Sequence, residues 1–203
     1  MPQKIFLIRH GQTDHNLNGI VQGWLNTPLN ATGRLQARLL AERFKDTPIH
    51  AIYSSDLKRA AQTARPLARL KQLKLITTPD LRERSLGIFE GKNWDQVRLD
   101  HPKLLDELHQ SQFHPDWNKI KGESFRQLGT RIQHFISYLK DHHPGHTIAV
   151  ITHGGTKRNI LYHLGFHQES AEIHLGNTSL TTIVRSGNKY YLETTSDTSH
   201  LPQ

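Results

Sequence analysis

The sequence predicts an α/β fold: a three-layer sandwich with a mostly parallel central sheet, helices on both faces and an antiparallel edge strand. Short apolar runs alternate with longer amphipathic stretches along the 203 residues, as strands joined by crossover helices do. Late in the chain, two strand-like runs flank Gly187-Asn188, a hairpin signal that makes at least one strand antiparallel. No repeat or linker interrupts the pattern, and the length fits a single domain over residues 1–203.

The first half of the chain predicts three strands and two helices. The strands are the apolar runs at residues 4–8, 49–53 and 74–77. After the first strand, apolar residues recur at helical spacing up to Phe44, with Thr32 as the expected cap. After the second, Ser54 or Ser55 is expected to cap a helix that runs to about Arg65, where Pro66 should disturb it.

The second half opens with a turn-rich stretch at residues 79–91 and closes with the hairpin. Between them, the sequence predicts mixed helical structure at 92–121, broken by Pro102 and Pro115. The other predicted elements are a long helix at 124–142, a buried strand at 147–152, a helix at 155–164, and hairpin strands at 180–185 and 190–195.

Two histidines follow predicted strands at the edge where an open α/β sheet binds its ligand. His10 follows the first strand in Arg9-His10-Gly11, and His153 follows the late strand in Thr152-His153-Gly154. The glycine after each histidine lets the backbone approach a ligand closely, and amide N–H groups at a strand-to-helix turn can hold an anion. Arg9 and Arg59 add guanidinium groups suited to phosphate oxygens.

The composition excludes several classes of protein. There are no cysteines, so thiolate chemistry and disulfides are excluded. The net charge of +8 favours anionic partners, yet no block of five or more basic residues occurs, which favours a solvated basic surface over nucleic-acid binding. No apolar run approaches the ~20 residues that span a bilayer, and no signal peptide is evident. We therefore expect a cytoplasmic protein that binds a small phosphorylated metabolite, without nucleic acid or membrane.

These motifs resemble the histidine phosphatase superfamily, which includes phosphoglycerate mutases and their phosphatase relatives. Arg-His-Gly alone is weak evidence, whereas several motifs in the family's order are specific. The resemblance covers nearly the whole chain. It rests on Asn16 and on residues 7–11, 23–29, 54–64, 81–83, 86–87, 89–91, 122–124, 152–154 and 177–180.

The resemblance implies a role for each residue of the central constellation. His10 would be the nucleophile and would become a phosphohistidine. Arg9, Arg59 and His153 would neutralise the phosphoryl oxygens in the transition state. Because these groups supply the positive charge, and no carboxylates cluster at ligand spacing, neither a metal nor a cofactor is expected.

The resemblance also implies an acid–base group and further phosphate contacts. Glu83 would protonate the leaving oxygen and later activate water. Glu90 competes for this role, and Glu83 is favoured because it lies in Leu-Arg-Glu; a plain ion pair to a neighbouring arginine is the structural alternative. Asn16 and the Gly154 N–H would complete the phosphate site.

The sequence gives fewer indications of the substrate pocket than of the phosphate site. Gln22 and Gly23 are candidate substrate-binding residues, although a simple surface or core role suits Gln22 equally well. Specificity is expected to lie in the loop around Gln22 and in residues 92–121, neither of which carries a readable code.

The favoured function is a phosphatase for small phosphate monoesters, resembling the α-ribazole phosphatase and broad-specificity branch. The mutases of this family typically carry longer connecting segments than residues 92–121, and Gln12 stands where several mutase relatives carry glutamate. A phosphoglycerate mutase is the alternative, and a non-catalytic sensor of a phosphorylated ligand is a remote one. A monomer and a homodimer are both open.

Overall fold

One six-stranded sheet forms the centre of the structure, a computed structural model that describes residues 1–110 and 117–202. The strands are β1 (Lys4–Arg9), β2 (Ala51–Ser55), β3 (Leu75–Thr78), β4 (Thr147–Thr152), β5 (Leu180–Ser186) and β6 (Lys189–Asp197). Their order is β3-β2-β4-β1-β5-β6. The first four of these are parallel, and β5 and β6 pair antiparallel. The predicted mixed sheet with an antiparallel edge is therefore confirmed.

Eight α-helices connect or flank these strands in the described residues. They are α1 (Asp14–Leu17), α2 (Ala31–Arg43), α3 (Lys58–Lys71), α4 (Trp94–Asp100), α5 (Pro102–Gln110), α6 (Phe125–His142), α7 (Gly154–His163) and α8 (His167–Glu172). A single residue, His101, separates the end of α4 from Pro102, the first residue of α5, so the predicted break there is confirmed. The predicted break at Pro115 lies outside the described residues. No helix in the described ranges has both the length and the apolar content needed to cross a bilayer.

Alternate side chains of the strands pack on opposite faces of the sheet. On one face, Ile5 and Leu7 pack with buried residues of α6 and α7. On the other, Phe6 and Ile8 pack with buried residues of α2 and α3. Because β1 is buried on both faces, it reads as a continuous apolar run instead of an alternating one. The result is the predicted sandwich of helix, sheet and helix.

A third apolar cluster lies apart from these two faces. Its buried members are Val21, Phe89, Val97, Leu105, Trp117 and Ile120. It joins the loop that carries Gln22 to residues 92–121, and an isolated bridge between Ile20 and Asn93 connects the same two segments. We call this unit the cap cluster.

The helix predicted after the second strand was expected to end at about Arg65, and this prediction is wrong. It corresponds to α3, which continues through Pro66 to Lys71. Proline removes one backbone hydrogen bond from a helix interior. Here Ala64, Leu67 and Ala68 are buried against the sheet on both sides of the proline, and their burial offsets that loss.

The predicted helix caps are also wrong. The cap of α2 is Asn30, whose Oδ1 accepts from Gly33 N at 2.8 Å, so the helix begins before Thr32. The N-cap of α3 is Leu57, which provides no side-chain bond. Instead, Asn26 reaches across from an earlier loop, and its Oδ1 accepts from the first amide of α3 at 2.8 Å. A cap supplied by a distant residue has no local sequence signal.

Candidate active site

His10 follows β1 directly, and both neighbouring strands hold its main chain. Its N–H donates to the Thr152 carbonyl at the end of β4 at 2.9 Å. Its carbonyl accepts from the Thr178 amide at 3.2 Å and from Asn177 Nδ2 at 3.1 Å, both just before β5. The residue is 2% exposed. The position of this imidazole is therefore set by the sheet.

The His10 ring is held in a defined tautomer. Its Nδ1 lies 2.7 Å from the Gly11 carbonyl oxygen. Because a carbonyl can only accept, Nδ1 carries the proton and Nε2 keeps its lone pair. Burial, followed by the charges of Arg59 and Arg9, lowers the pKa of His10 well below its ordinary value. The ring is thus neutral near pH 7, with a free nucleophilic nitrogen.

His153 shows the opposite tautomer. It is the N-cap of α7, fully buried, with its ring centroid 5.1 Å from that of His10. Arg59 Nε donates to His153 Nδ1 at 3.1 Å, so the proton of the neutral ring lies on Nε2. This Nε2 is buried without a hydrogen-bond partner in the described part of the chain. Such an N–H suits an oxyanion that binds between the two histidines.

Arg59 orients His153 and anchors a loop. Besides the bond to His153, its Nη1 donates to the Leu25 carbonyl at 2.7 Å and its Nη2 to the Gly23 carbonyl at 2.8 Å. The side chain is 1% exposed. Burial lowers its pKa to about 10, partly offset by the charge of Glu83. It therefore remains cationic at neutral pH inside the protein.

Arg9 provides the second buried guanidinium. Its Nη1 donates to the Leu175 carbonyl, whereas its Nε is buried with no partner among the described residues. Burial lowers its pKa, and Glu83 partly offsets this. An unpartnered cationic donor beside His10 can bind an anion.

Glu83 lies at the N-terminus of α7, beside this cationic group. Its Oε2 accepts from the Gly155 amide at 3.1 Å, and its Oε1 accepts from the amides of Thr156 at 3.2 Å and Arg84 at 2.9 Å. A Cβ on Gly155 would lie 2.6 Å from Oε1, so a side chain here would displace the carboxylate from this position. Gly154 is the first residue of α7, where an amide has no intrahelical partner.

Two threonine hydroxyls fix the segment that carries Glu83. Thr152 Oγ1 donates to the Leu81 carbonyl at 2.8 Å, and Thr156 Oγ1 donates to the Arg82 carbonyl at 2.6 Å. The turn between β4 and α7 therefore positions His153 and Glu83 together.

Glu90 has a different setting from Glu83. Its Oε1 accepts from the Leu86 amide at 2.8 Å, from Ser85 Oγ at 3.0 Å and from the Trp24 amide at 3.1 Å. These bonds tie two loops together. The geometry of Glu90 is that of a loop anchor.

The other candidate residues lie around the histidine pair. Asn16, Gln22 and Gly23 all form hydrogen bonds with other residues of the protein. Asn16 Oδ1 accepts from Thr13 and from Asn177 Nδ2 at 3.3 Å. Gln22 is buried, and its Oε1 accepts from the hydroxyls of Thr13 at 3.1 Å and Thr27 at 2.6 Å. Gly23 supplies a carbonyl to Arg59. The structure therefore places Gln22 as a support for the loop around the site.

A close backbone approach fixes the loop after His10 against the start of α2. A Cβ on Gly11 would lie 2.8 Å from the Gly33 carbonyl oxygen, and a Cβ on Gly33 would lie 2.0 Å from the Gln12 carbonyl oxygen. Gly11 N also donates to Thr63 Oγ1 at 2.9 Å. Both glycines are required by contact, since neither has a positive φ.

Four residues near the site carried no role in the sequence-based prediction. Asn177 and Thr178 hold the His10 carbonyl, Lys157 is buried in α7, and Arg84 follows Glu83. Asn177 and Thr178 belong to one of the motifs that supported the resemblance, which is the one signal that singled them out. Their contact with His10 depends on β5 pairing beside β1.

A buried pair of neutral histidines among arginines, at the carboxyl edge of a parallel sheet, defines an α/β enzyme built to bind a phosphoryl group. The chain belongs to the histidine phosphatase superfamily (branch 1), whose model matches residues 5–198.

Named relatives of this chain are consistent with its assignment to this class of enzyme. A metal-independent phosphoserine phosphatase of Arabidopsis thaliana is 35% identical over 98% of this chain and 83% of its own length. A broad-specificity phosphatase of Saccharomyces cerevisiae is 32% identical over 98% of this chain and 87% of its own. A phosphoserine phosphatase from Entamoeba histolytica, solved in complex with 3-phosphoglyceric acid, superposes with a TM-score of 0.82, 26% identity and full coverage of both chains.

Proposed function

We propose that this protein is a phosphatase that hydrolyses small phosphate monoesters through a phosphohistidine on His10. The observation that carries this proposal is the bond from His10 Nδ1 to the Gly11 carbonyl, which leaves Nε2 unprotonated. The unpartnered donors His153 Nε2 and Arg9 Nε support it, because an anion beside His10 would satisfy both. The three relatives described above are named phosphatases, which supports hydrolysis; other relatives, 34% and 30% identical, are named phosphoglycerate mutase-like or probable phosphoglycerate mutase.

In the first step, His10 Nε2 attacks phosphorus in line as the bond to the ester oxygen breaks. Arg9, Arg59 and the N–H of His153 stabilise the non-bridging oxygens. Glu83 gives its proton to the departing oxygen, so the alcohol leaves neutral. The products of this step are the alcohol, the Glu83 carboxylate and a phosphohistidine whose Nδ1–H still donates to Gly11.

In the second step, water attacks the phosphohistidine. Glu83 takes one proton from this water, and the phosphorus–nitrogen bond breaks. The His10 lone pair and the Glu83 proton are thereby restored, and inorganic phosphate is released.

We further propose that the substrate carries a carboxylate as well as the phosphate ester. Arg84 follows Glu83 and lies over the Trp117 ring of the cap cluster, with its guanidinium carbon 5.6 Å from the ring centroid. Its Nε is buried without a hydrogen-bond partner in the residues described. A guanidinium in this setting suits a second anionic group. Phosphoserine is the first candidate, since two of the relatives above are named phosphoserine phosphatases.

The proposed mechanism uses no metal. Arg9, Arg59 and His153 supply the charge that a metal would otherwise provide. Among the described residues, no group of three or more histidine or acidic side chains is arranged to hold a metal ion.

The phosphoenzyme is the direct test of the proposed function. Brief incubation with ³²P-labelled phosphoserine followed by denaturation should give label that is lost in acid and retained in base, as a phosphohistidine requires. The variant His10→Ala should give no label, whereas His142→Ala, at an exposed histidine, should label like wild type. If wild type turns over substrate without becoming labelled, the covalent mechanism is wrong. If added 3-phosphoglycerate takes the label in place of water, the protein is a mutase.

A further inference from the structure

Lys157 is a fully buried lysine on α7. Its Nζ donates to the Ser179 carbonyl at 3.0 Å and lies 3.3 Å from Ser179 Oγ. Lysines are almost never fully buried unless they are paired. No carboxylate pairs with this amine in the described residues, so a role other than an ion pair is needed to explain it.

Ser179 links this amine to the nucleophile. The Ser179 carbonyl also accepts from the Arg9 amide at 3.2 Å, and the preceding residue, Thr178, donates its amide to the His10 carbonyl at 3.2 Å. Arg9 and His10 are thus held by the two-residue segment that Lys157 clamps.

We propose that Lys157 is a positioning residue of the phosphate site, which holds residues 178–179 against Arg9 and His10 and becomes protonated when an anion binds there. This inference rests on the proposed function only in assuming that an anion binds beside His10.

Both protonation states of the amine fit the same geometry. As an ammonium, Nζ donates to the carbonyl and the hydroxyl of Ser179. As a neutral amine, it still donates to the carbonyl and can accept from Oγ–H. Ionisation therefore changes the charge on the amine without breaking its contacts with Ser179.

The surroundings of Lys157 favour a change of charge near neutrality. Burial, with a smaller contribution from the Arg9 charge, lowers the pKa of Lys157 to about 7. Arg9 on β1 is the charged group that faces the amine, and the Ser179 acceptors before β5 are neutral. A dianion bound beside Arg9 would offset the Arg9 charge, stabilise the ammonium and draw in a proton.

Sulfate is a suitable probe, because its charge does not change between pH 6 and 8.5. His10 and His153 stay neutral across this range in the free protein, since burial holds the pKa of each well below its ordinary value. Titration calorimetry in two buffers of different ionisation enthalpy at pH 7.5 gives the number of protons taken up on binding. Wild type should take up a substantial fraction of a proton, and its sulfate affinity should fall on the order of tenfold from pH 6 to 8.5.

The variant Lys157→Met removes the amine while keeping its length and apolar stem. It should take up no proton, and its sulfate affinity should be nearly independent of pH. Methionine has a similar length and buries no charge or unpaired amine, so the variant should fold, as thermal unfolding would show. Lys140→Met, at an exposed lysine, is the matched control and should behave like wild type. Ser179→Ala keeps the amine and the carbonyl and should keep the proton uptake.

Proton uptake that persists in Lys157→Met would assign the proton to a histidine and overturn the proposal. Wild-type sulfate binding without proton uptake would also overturn it, as would an absence of sulfate binding. Failure of the proposed function would look different, since the ³²P experiment would then give no label whatever the result with sulfate.

Discussion

The carboxyl edge of β1 and β4 and the cap cluster are built in different ways. At the strand edge, backbone groups hold nearly every functional side chain: Gly11 holds His10, and the first turn of α7 holds Glu83. In the cap cluster, apolar side chains such as Phe89 and Trp117 hold one another. Backbone contacts survive most substitutions, whereas side-chain packing changes with each one. We therefore expect the edge to set the chemistry and the cap cluster to set the choice of substrate.

The largest effect should follow from replacing His10 at the strand edge. The variant His10→Ala should lower kcat by on the order of 10⁴-fold or more, because no other group supplies the nucleophile. Its fold should persist, since the ring lies at the edge of the sheet. Steady-state assays with phosphoserine, beside circular dichroism, would check this. A few per cent of residual activity would be incompatible with a covalent role for His10.

The next effect should separate Glu83 from Glu90. The variant Glu83→Gln should lower kcat/KM for an alkyl phosphate by about 10²–10⁴-fold and that for nitrophenyl phosphate much less, because an aryl leaving group needs little protonation. Glu90→Gln is the control, since Glu90 anchors loops and should show no dependence on the leaving group. Equal losses on both substrates in Glu83→Gln would remove Glu83 from the acid role.

A smaller effect should appear at the boundary between the edge and the cap cluster. The variant Arg84→Met should lower kcat/KM for phosphoserine by roughly tenfold, the size of one hydrogen bond to a charged group. Phosphoethanolamine lacks the carboxylate and should be affected far less. Arg98→Met, at an exposed arginine on α4, provides the control. A uniform loss on both substrates would place Arg84 in phosphate binding instead.

The difference in free energy of unfolding between Lys157→Met and wild type should depend on pH, because only wild type contains the buried amine. The pKa of Lys157 is about 7 in the folded protein, against an ordinary value of 10.5. Between these values the unfolded chain binds more protons, so wild-type stability rises with pH through this window. The free energy of unfolding of Lys157→Met, relative to wild type, should therefore be highest at pH 7 or below and lower by on the order of 3 kcal/mol near pH 10. Urea unfolding at both pH values would measure it, and a constant difference would contradict a lowered pKa.

Removal of metal ions is expected to have no effect on activity. Dialysis against a strong chelator should leave kcat unchanged, because the arginines and His153 supply the charge at the strand edge. Restoration of lost activity by Mg²⁺, Mn²⁺ or Zn²⁺ would show that the edge needs a metal.

The sequence predicted what depends on local pattern and missed what depends on distant contact. The strands carrying His10 and His153 were predicted, because both are continuous apolar runs, and the sheet places the two rings 5.1 Å apart. The cap that Asn26 gives to α3 and the passage of α3 through Pro66 depend on tertiary packing, so they were missed.

Lys157 illustrates the same limit within the site. In sequence it lies beside Arg158 on a predicted helix, and no motif marks it. Its contact with Ser179 forms because β5 returns beside β1, and a contact between such distant segments has no local sequence signal. The roles of the site residues, the cytoplasmic location and the oligomeric state remain predictions.

The contact between Gly11 and Gly33 has a consequence for anyone who redesigns this scaffold. Two stretches of main chain touch there without a side chain between them, so no compensating substitution elsewhere can restore the fit once a methyl group is added. In a saturation-mutagenesis map the two positions should appear as a linked pair of intolerant sites, although Gly33 lies outside the phosphate site. A graft of the catalytic loop onto another protein would have to carry the first turn of α2 with it as one piece.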